Sequence, residues 1–151
     1  MSLDKELKKI NETVKIFVQS INEEYDCVMG LDFMADLAND VIVWSILTIE
    51  KSGEAFYDNF ISRFPKAKGF SLFTLSILHE VGHLETENEM EDDVDIRNNE
   101  IMTNEEYFNL FNERIATDWA GYWIEKNFQK AINLDDTFRN ALNNLYAETL
   151  D

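Results

Sequence analysis

The segment from residue 70 to residue 86 restricts the fold more than any other part of the sequence. Its apolar residues cover nearly the whole circumference of the helix that they predict: Phe70, Leu72, Phe73, Leu75, Ile77, Leu78, Val81 and Leu84. A helix that is apolar all round is buried inside its protein. We therefore predict that this helix lies at the centre of the core. It also carries His79, Glu80 and His83, so the same buried position has to accommodate three polar side chains.

Two further helices are predicted on the N-terminal side of this central helix. Residues 3 to about 24 form an amphipathic helix, because apolar residues recur at three- and four-residue steps between charged ones. These residues are Leu7, Ile10, Val14, Phe17 and Ile21. Residues 53–63 read as a second helix, and Pro65 and Gly69 then interrupt the chain before the central helix begins.

A small sheet is predicted between those two helices. Residues 41–49 are rich in β-branched and aromatic side chains and are too densely apolar for an exposed helix, so they predict a strand. Residues 26–33 are the candidate partner strand, with a turn near residues 38–40. We expect the sheet to be mainly antiparallel and to pack on the central helix.

The C-terminal third of the chain predicts two more helices behind an acidic connection. Residues 85–100 carry eight carboxylates against one arginine. Thr103 and Glu106 then form a capping box, which predicts a helix running to about Asn127. Its apolar stripe is Phe108, Phe111, Ile115, Trp119 and Trp123. A last helix near residues 135–150 has Phe138, Leu142, Leu145 and Leu150 on one side.

The polar residues of the central helix form a motif with a known chemical use. His79-Glu80-Val81-Gly82-His83 matches HExxH, and the chain has no other histidine. At 3.6 residues per turn the two imidazoles lie on one face and can reach one zinc ion. Glu80 projects about 100° away from them. It is therefore predicted to activate a zinc-bound water as general base rather than to bind the metal.

A catalytic zinc site needs a third protein ligand and keeps one position open. Because no third histidine exists and Cys27 lies far upstream, we expect a carboxylate. Glu113 is the first candidate, in the middle of its predicted helix. Small residues follow it along the same face, at positions that would allow another helix to approach: Ala116, Thr117 and Ala120. Glu106 and Asp118 are the alternatives.

These two stretches together resemble a known family. His-Glu-Val-Gly-His, followed by Glu113-Arg-Ile-Ala-Thr-Asp-Trp-Ala120, is similar to the pattern of the ImmA/IrrE-type metallopeptidases of phages and mobile elements. The similarity covers roughly residues 70–123, and Thr117 stands where the family has asparagine or aspartate. The resemblance implies a gluzincin-like fold and Glu113 as the third zinc ligand. It also implies cleavage of an intracellular regulator such as a phage repressor.

Charge and composition restrict the classes of molecule that the protein is expected to bind and the compartment in which it is expected to work. The formal net charge is -17, which repels nucleic acid and attracts basic protein segments. No apolar run is long enough to span a membrane, and the N-terminal residues do not form a secretory signal. A single cysteine, Cys27, rules out an internal disulfide and fits a reducing compartment. We therefore expect a cytoplasmic protein whose substrate has a basic, flexible segment and which binds neither nucleic acid nor membranes.

The sequence therefore predicts one α+β, zincin-like domain over residues 1–151 that hydrolyses peptide bonds with zinc. Two other functions remain open. The chain could be an acidic interaction protein, such as an anti-repressor or DNA mimic, with a structural metal or none. It could also be a metallohydrolase of a small amide. The group that stabilises the oxyanion is open as well, with Tyr107, Tyr122 and Arg114 as candidates beside the zinc itself.

Overall fold

The computed structural model of the protein describes residues 3–46, 50–91 and 102–149. The described elements follow the order α1, β1, β2, β3, α2, α3, α4, α5 and α6. Their bounds are α1 Leu3–Ile21, β1 Asp26–Met29, β2 Met34–Asp36, β3 Val41–Trp44, α2 Glu50–Arg63, α3 Leu72–Glu85, α4 Asn104–Phe108, α5 Phe111–Lys126 and α6 Phe128–Thr149. Short 3-10 turns occupy Pro65–Ala67 and Glu87–Glu89. The α+β class is confirmed.

The sheet has three strands in the order β1-β3-β2, and it is mixed rather than mainly antiparallel. β2 pairs with β3 antiparallel, through a turn at the predicted position, whereas β1 pairs with β3 parallel. The expectation of a mainly antiparallel sheet is therefore wrong for one of the two strand pairs. After β1, Gly30 passes so close to Val43 that a Cβ on this residue would collide with the valine side chain. The chain then continues to the far side of β3, which leaves β3 in the middle.

Helix α3 lies in the core, as its sequence predicts. Every residue from Phe73 to Leu84 except Glu80 is buried. The ring of Phe73 contacts Trp44 of the sheet and Phe138 of α6, with centroid separations of 6.1 Å and 5.1 Å. The sheet therefore packs on the HExxH helix, and α6 lies against it as well.

A buried carboxylate fixes the beginning of α3. Asp135 of α6 accepts hydrogen bonds from the backbone N–H and the hydroxyl of Ser71, from the Thr74 hydroxyl, and from Arg139 Nε. Burial by itself raises the pKa of Asp135, but these hydrogen bonds outweigh it and hold the pKa below its usual range. Ser71 is the N-cap of α3. The position of the HExxH helix is thus tied to α6.

The long helix predicted from Thr103 to about Asn127 is two helices. The capping box of Thr103 and Glu106 is confirmed, but α4 ends at Phe108. Asn109 and Leu110 then form a turn, with Leu110 in an extended conformation, before α5 begins. Asparagine is a weak helix former. The new start rotates the helix so that Phe111, predicted to be core, is 45% exposed.

The boundaries of the first three helices agree with the sequence to within a few residues, but both predicted strands are too long: β1 ends at Met29 rather than at residue 33, and β3 ends at Trp44 rather than at residue 49. Helices α1 and α2 match their predicted segments, and Pro65 and Gly69 separate α2 from α3, with Gly69 at φ 96°. Helix α6 begins at Phe128, directly after α5, instead of near residue 135. Phe138, Leu142 and Leu145 are buried as predicted. Residues 47–49, residues 92–100 of the acidic connection, and Leu150 lie outside the described residues.

Candidate metal centre

His79, His83 and Glu113 converge between α3 and α5. Glu113 Oε1 lies 3.0 Å from His79 Nε2, and the Glu113 carboxylate lies 3.2 Å from His83 Nε2. All three side chains are buried, and their ligand atoms lie within 4.8 Å of one another. The structure therefore brings together the three residues that the sequence predicts as metal ligands. Glu113 stands in the first turn of α5, however, and not in the middle of a helix.

A close helix crossing makes this convergence possible. Gly82 of α3 faces the backbone of Ala116 in α5, and a Cβ on Gly82 would lie 3.0 Å from the Ala116 carbonyl carbon and 3.1 Å from its Cα. Ala116 and Ala120 are fully buried at this interface. Only small residues permit two helix backbones to approach so closely. The small strip that follows Glu113 in the sequence does lie against a second helix, and that helix is the one that carries HExxH.

The orientation of His79 is set by two further side chains. Its Nδ1 lies 2.9 Å from Thr117 Oγ1, and the ring of Phe56 packs edge-on against the imidazole at a centroid separation of 5.2 Å. In the structure as it stands, His79 Nε2 faces the Glu113 carboxylate as a hydrogen-bond donor. With a metal bound, a hydrogen bond from Nδ1–H to the threonine hydroxyl would instead leave the Nε2 lone pair directed at the metal. In the sequence Thr117 is recognisable only as a small residue on the face of Glu113, and Phe56 gives no sign of a role at the site. In both cases the contact joins residues that are distant in the chain, so local spacing gave no signal.

The charge of Glu113 is stabilised by the two histidines. Burial by itself raises the pKa of this carboxyl group, but the hydrogen bonds from His79 and His83 outweigh the burial and hold its pKa well below the usual range. Glu113 is therefore ionised and acts as an acceptor or ligand at any physiological pH.

Glu80 lies on the neighbouring side of α3, at the wall of an open cleft. The cleft has a volume of about 310 Å³, and its lining includes His83, Glu113, Tyr107 and the β2 residues Met34 and Ala35. Burial raises the pKa of Glu80, while the nearby imidazoles oppose that shift. A carboxylate with a raised pKa is a stronger base. Glu80 therefore borders the space where a substrate could enter and does not belong to the ligand cluster itself.

Asn112 also lines this cleft and was not identified from the sequence. Its side-chain amide accepts a hydrogen bond from the Glu91 backbone N–H at 2.8 Å and donates one to the Glu91 carbonyl at 2.6 Å. The pairing attaches the first part of the acidic connection to α5, next to Glu113. The signal was an asparagine inside a predicted helix, where this residue is unfavourable unless its side chain has a specific partner.

Most of the other residues that the sequence offered, as a third ligand or as an oxyanion donor, lie away from the cluster or are engaged in other contacts. Glu106 is engaged in its capping box, and Asp118 forms an ion pair with Arg63. Tyr122 is exposed and packs on Phe64, which removes it from the cleft. Arg114 is exposed as well and does not line the cleft. Tyr107 is the one oxyanion candidate among the described residues that lines the cleft.

The cluster fits a metal such as zinc by the chemistry of its donor atoms. Two imidazole nitrogens and one carboxylate oxygen form a donor set that catalytic zinc uses. With bonds of about 2.0–2.1 Å in tetrahedral geometry, ligand atoms are separated by about 3.3 Å. The two separations from the Glu113 carboxylate, 3.0 Å and 3.2 Å, are hydrogen-bond distances that are also close to that value, and the ligand atoms as a set lie within 4.8 Å of one another. The cleft beside Glu113 leaves one side of the cluster accessible, as a catalytic site requires.

Comparisons of the chain with known protein families, with curated proteins and with solved structures give no match. Within the described residues, no helix combines the length and the apolar character that are needed to cross a bilayer. The resemblance to the ImmA/IrrE-type metallopeptidases therefore stays a hypothesis that depends on the residues of the two helices.

Proposed function

We propose that this protein is a zinc-dependent metallopeptidase with a zincin-like, gluzincin-type fold. The observation that carries the proposal is the convergence of His79, His83 and Glu113 at a cleft that Glu80 also borders. These three residues would hold the metal, and Glu80 would carry out the proton transfer. Zinc, when bound in such a site, supplies a Lewis acid that polarises a carbonyl group and makes water more acidic.

The protein's own groups account for the remaining chemistry. A carboxylate oxygen of Glu80 accepts a proton from the water that attacks the carbonyl carbon of the peptide bond. The same carboxyl group then donates that proton to the nitrogen of the departing amine, so that the C–N bond breaks and Glu80 returns to its ionised form. Tyr107 lines the cleft and is the side chain that we propose for stabilising the oxyanion.

The position of the cleft beside an edge strand favours an extended peptide as the substrate. Strand β2 is an edge strand of the sheet, and two of its residues line the cleft. An edge strand has unpaired backbone groups to which an extended segment can bind as an added strand. The net charge of -17 favours a basic segment, such as one from a DNA-binding repressor of a phage or mobile element. We propose that this cleavage occurs in the cytoplasm.

Metal analysis provides the first test. Wild-type protein purified without chelator should contain one zinc per chain, and His83→Ala and Glu113→Ala should contain little. Elemental analysis after gel filtration measures this directly, with Glu106→Ala as the matched control because Glu106 lies outside the cluster. Equally low zinc in all four proteins after zinc loading would contradict the proposal.

The second test separates an enzyme from a binding protein. Glu80→Gln keeps the shape of the side chain and removes its basicity, so zinc content should remain at the wild-type level. Cleavage of a susceptible repressor should fall by roughly 10²–10⁴-fold, the usual effect of losing a general base. If the repressor binds both proteins equally and neither cleaves it, the chain is instead an acidic interaction protein.

A further inference from the structure

The face of the sheet that points away from α3 presents an ordered pattern of side chains. In the observed register Val28, Val43 and Met34 lie side by side across the three strands. The neighbouring row contains Val41 between Asp26 and Asp36. The opposite face holds Cys27 and Ile42, which are buried. The outer face is therefore an apolar row next to a row that ends in a carboxylate on each side.

This outer face is exposed although it is apolar. Val28 is 51% exposed and Met34 is 52% exposed, while Leu31 in the connection after β1 is 84% exposed. Their accessibility shows that solvent reaches the apolar row. Apolar side chains grouped in this way on a surface mark an interaction site more often than isolated ones do.

The charge around this face is predominantly negative. Between residue 16 and residue 50 the sequence contains seven carboxylates and no lysine or arginine. Of the ion pairs among the described residues, one reaches this face, where Lys15 Nζ stands 3.9 Å from Asp26. Asp36 instead accepts a hydrogen bond from the side-chain amide of Asn39. Because this amide is neutral, it does not compensate the negative charge of Asp36. A partner that fits here must supply apolar side chains with positive charges beside them.

The face is continuous with the cleft of the candidate metal centre. Met34 belongs both to the exposed apolar row and to the lining of the cleft, because it stands on edge strand β2. A polypeptide that leaves the cleft along this edge can therefore continue directly over Val43 and Val28.

We propose that this outer sheet face is a docking surface for the substrate protein, in addition to the cleft in which cleavage would take place. It would bind a segment in which two or three apolar side chains alternate with lysine or arginine. The identification of the occupant as a substrate rests on the proposed peptidase function, whereas the chemistry of the surface does not. Such a surface would select substrates by a segment outside the one that is cut.

The test uses short fluorescent peptides with defined composition. One alternates leucine with arginine, a second replaces leucine by serine, and a third replaces arginine by glutamate. With isotope-labelled wild-type protein, the leucine–arginine peptide should shift backbone amide signals of β1, β3 and β2 most strongly. The serine and glutamate peptides should each bind at least tenfold more weakly, and binding should weaken as ionic strength rises from about 0.05 M to about 0.5 M.

Two charge-matched variants locate the site. Val28→Lys places a cation in the apolar row at the edge away from the cleft and should weaken binding at least tenfold. Ile16→Lys makes the same kind of change at another exposed apolar position, on α1 and 70% exposed, and should change affinity less than threefold. If the two variants bind equally, or if the signal shifts avoid the sheet, the proposal is wrong. If Val28→Lys fails to fold, the shifts of the backbone amide signals in the wild-type protein alone show whether the peptide binds to the sheet.

The outcome of this binding test does not depend on whether the protein is a peptidase. Zinc content and cleavage are measured on the same two variants, and zinc content should equal that of wild type in both. Docking on the sheet without any zinc binding or cleavage would contradict the peptidase function and retain the surface. Zinc-dependent cleavage without docking on the sheet would contradict only the surface.

Discussion

Replacing Gly82 with alanine should separate the two helices that carry the candidate ligands. The added methyl group would face the Ala116 carbonyl group and Cα of α5 at separations that Cβ atoms in proteins hardly ever show. These are backbone atoms, so they cannot rotate away as the end of a side chain could. The Ala116 carbonyl oxygen would be the nearest atom and lies well inside the 3.4 Å at which ordinary contact begins, so α5 must retreat by about 1 Å near the crossing.

Two effects of this substitution on stability oppose each other. Alanine is favoured over glycine inside a helix by about 1 kcal/mol. Overpacking a buried contact costs about 1–3 kcal/mol, so we expect a net loss of roughly 1 kcal/mol in the free energy of unfolding. The effect on the metal centre should be larger, because Glu113 moves with α5 whereas metal sites tolerate deviations of only about 0.2 Å. Zinc affinity should fall at least as much as the roughly 10–100-fold seen when an outer-shell partner is lost.

Zinc affinity is measured by competition with a chromophoric chelator, and stability by urea unfolding. Gly53→Ala is the matched control, since it makes the same change inside α2, where the nearest atom is the mobile end of Leu72 at 2.8 Å. That control should bind zinc like the wild type. If Gly82→Ala also binds zinc like the wild type and is equally stable, the helix crossing does not determine the geometry of the centre.

Two further predictions concern residues that support the site. Thr117→Val removes the partner of His79 Nδ1 and should lower zinc affinity by roughly 10–100-fold, whereas Thr117→Ser should retain most of it; equal affinities in a chelator competition would contradict this. Asp135→Asn should lower the free energy of unfolding by about 1.5–3 kcal/mol at neutral pH, because Asp135 accepts several hydrogen bonds as an anion. In the folded state hydrogen bonding outweighs burial and lowers the pKa of Asp135. The stabilisation from the ionised carboxylate is therefore fully present above pH 3.8, the ordinary pKa of aspartate, and it is lost as the pH falls through the lower pKa of the folded state. Urea unfolding across that range should therefore show the wild type and the variant converging at acidic pH, and a constant difference would refute the linkage.

Features that depend on local spacing could be predicted from the sequence. The one-turn separation of His79 and His83 places both imidazoles on one face of any helix, whatever surrounds it. The capping box of Thr103 and Glu106 is likewise a local pattern, and it is present. The burial of α3 followed from its apolar circumference.

Features that depend on distant contacts could not be predicted in the same way. The central place of β3 depends on where the chain crosses after Gly30, and a strand's own residues do not reveal whether its neighbour runs parallel. The break at Asn109 places Asn112 and Glu113 in the first turn of α5, yet the apolar stripe through Phe111 suggests an uninterrupted helix. Only the packed structure shows that Thr117 and Phe56 meet His79.

The arrangement of the candidate ligands on α3 and α5 has a consequence for how the chain folds. His79 and His83 precede the acidic connection, whereas Glu113 follows it, 30 residues after His83. The three side chains can therefore meet only after the segment between His83 and Glu113 has closed into a loop. Closing a loop of such length costs roughly 3 kcal/mol of chain entropy. A bound metal would hold the loop shut and act as a reversible cross-link, which a chelator could open without cutting any covalent bond. Metal uptake during refolding would then mark the moment at which α5 docks on α3.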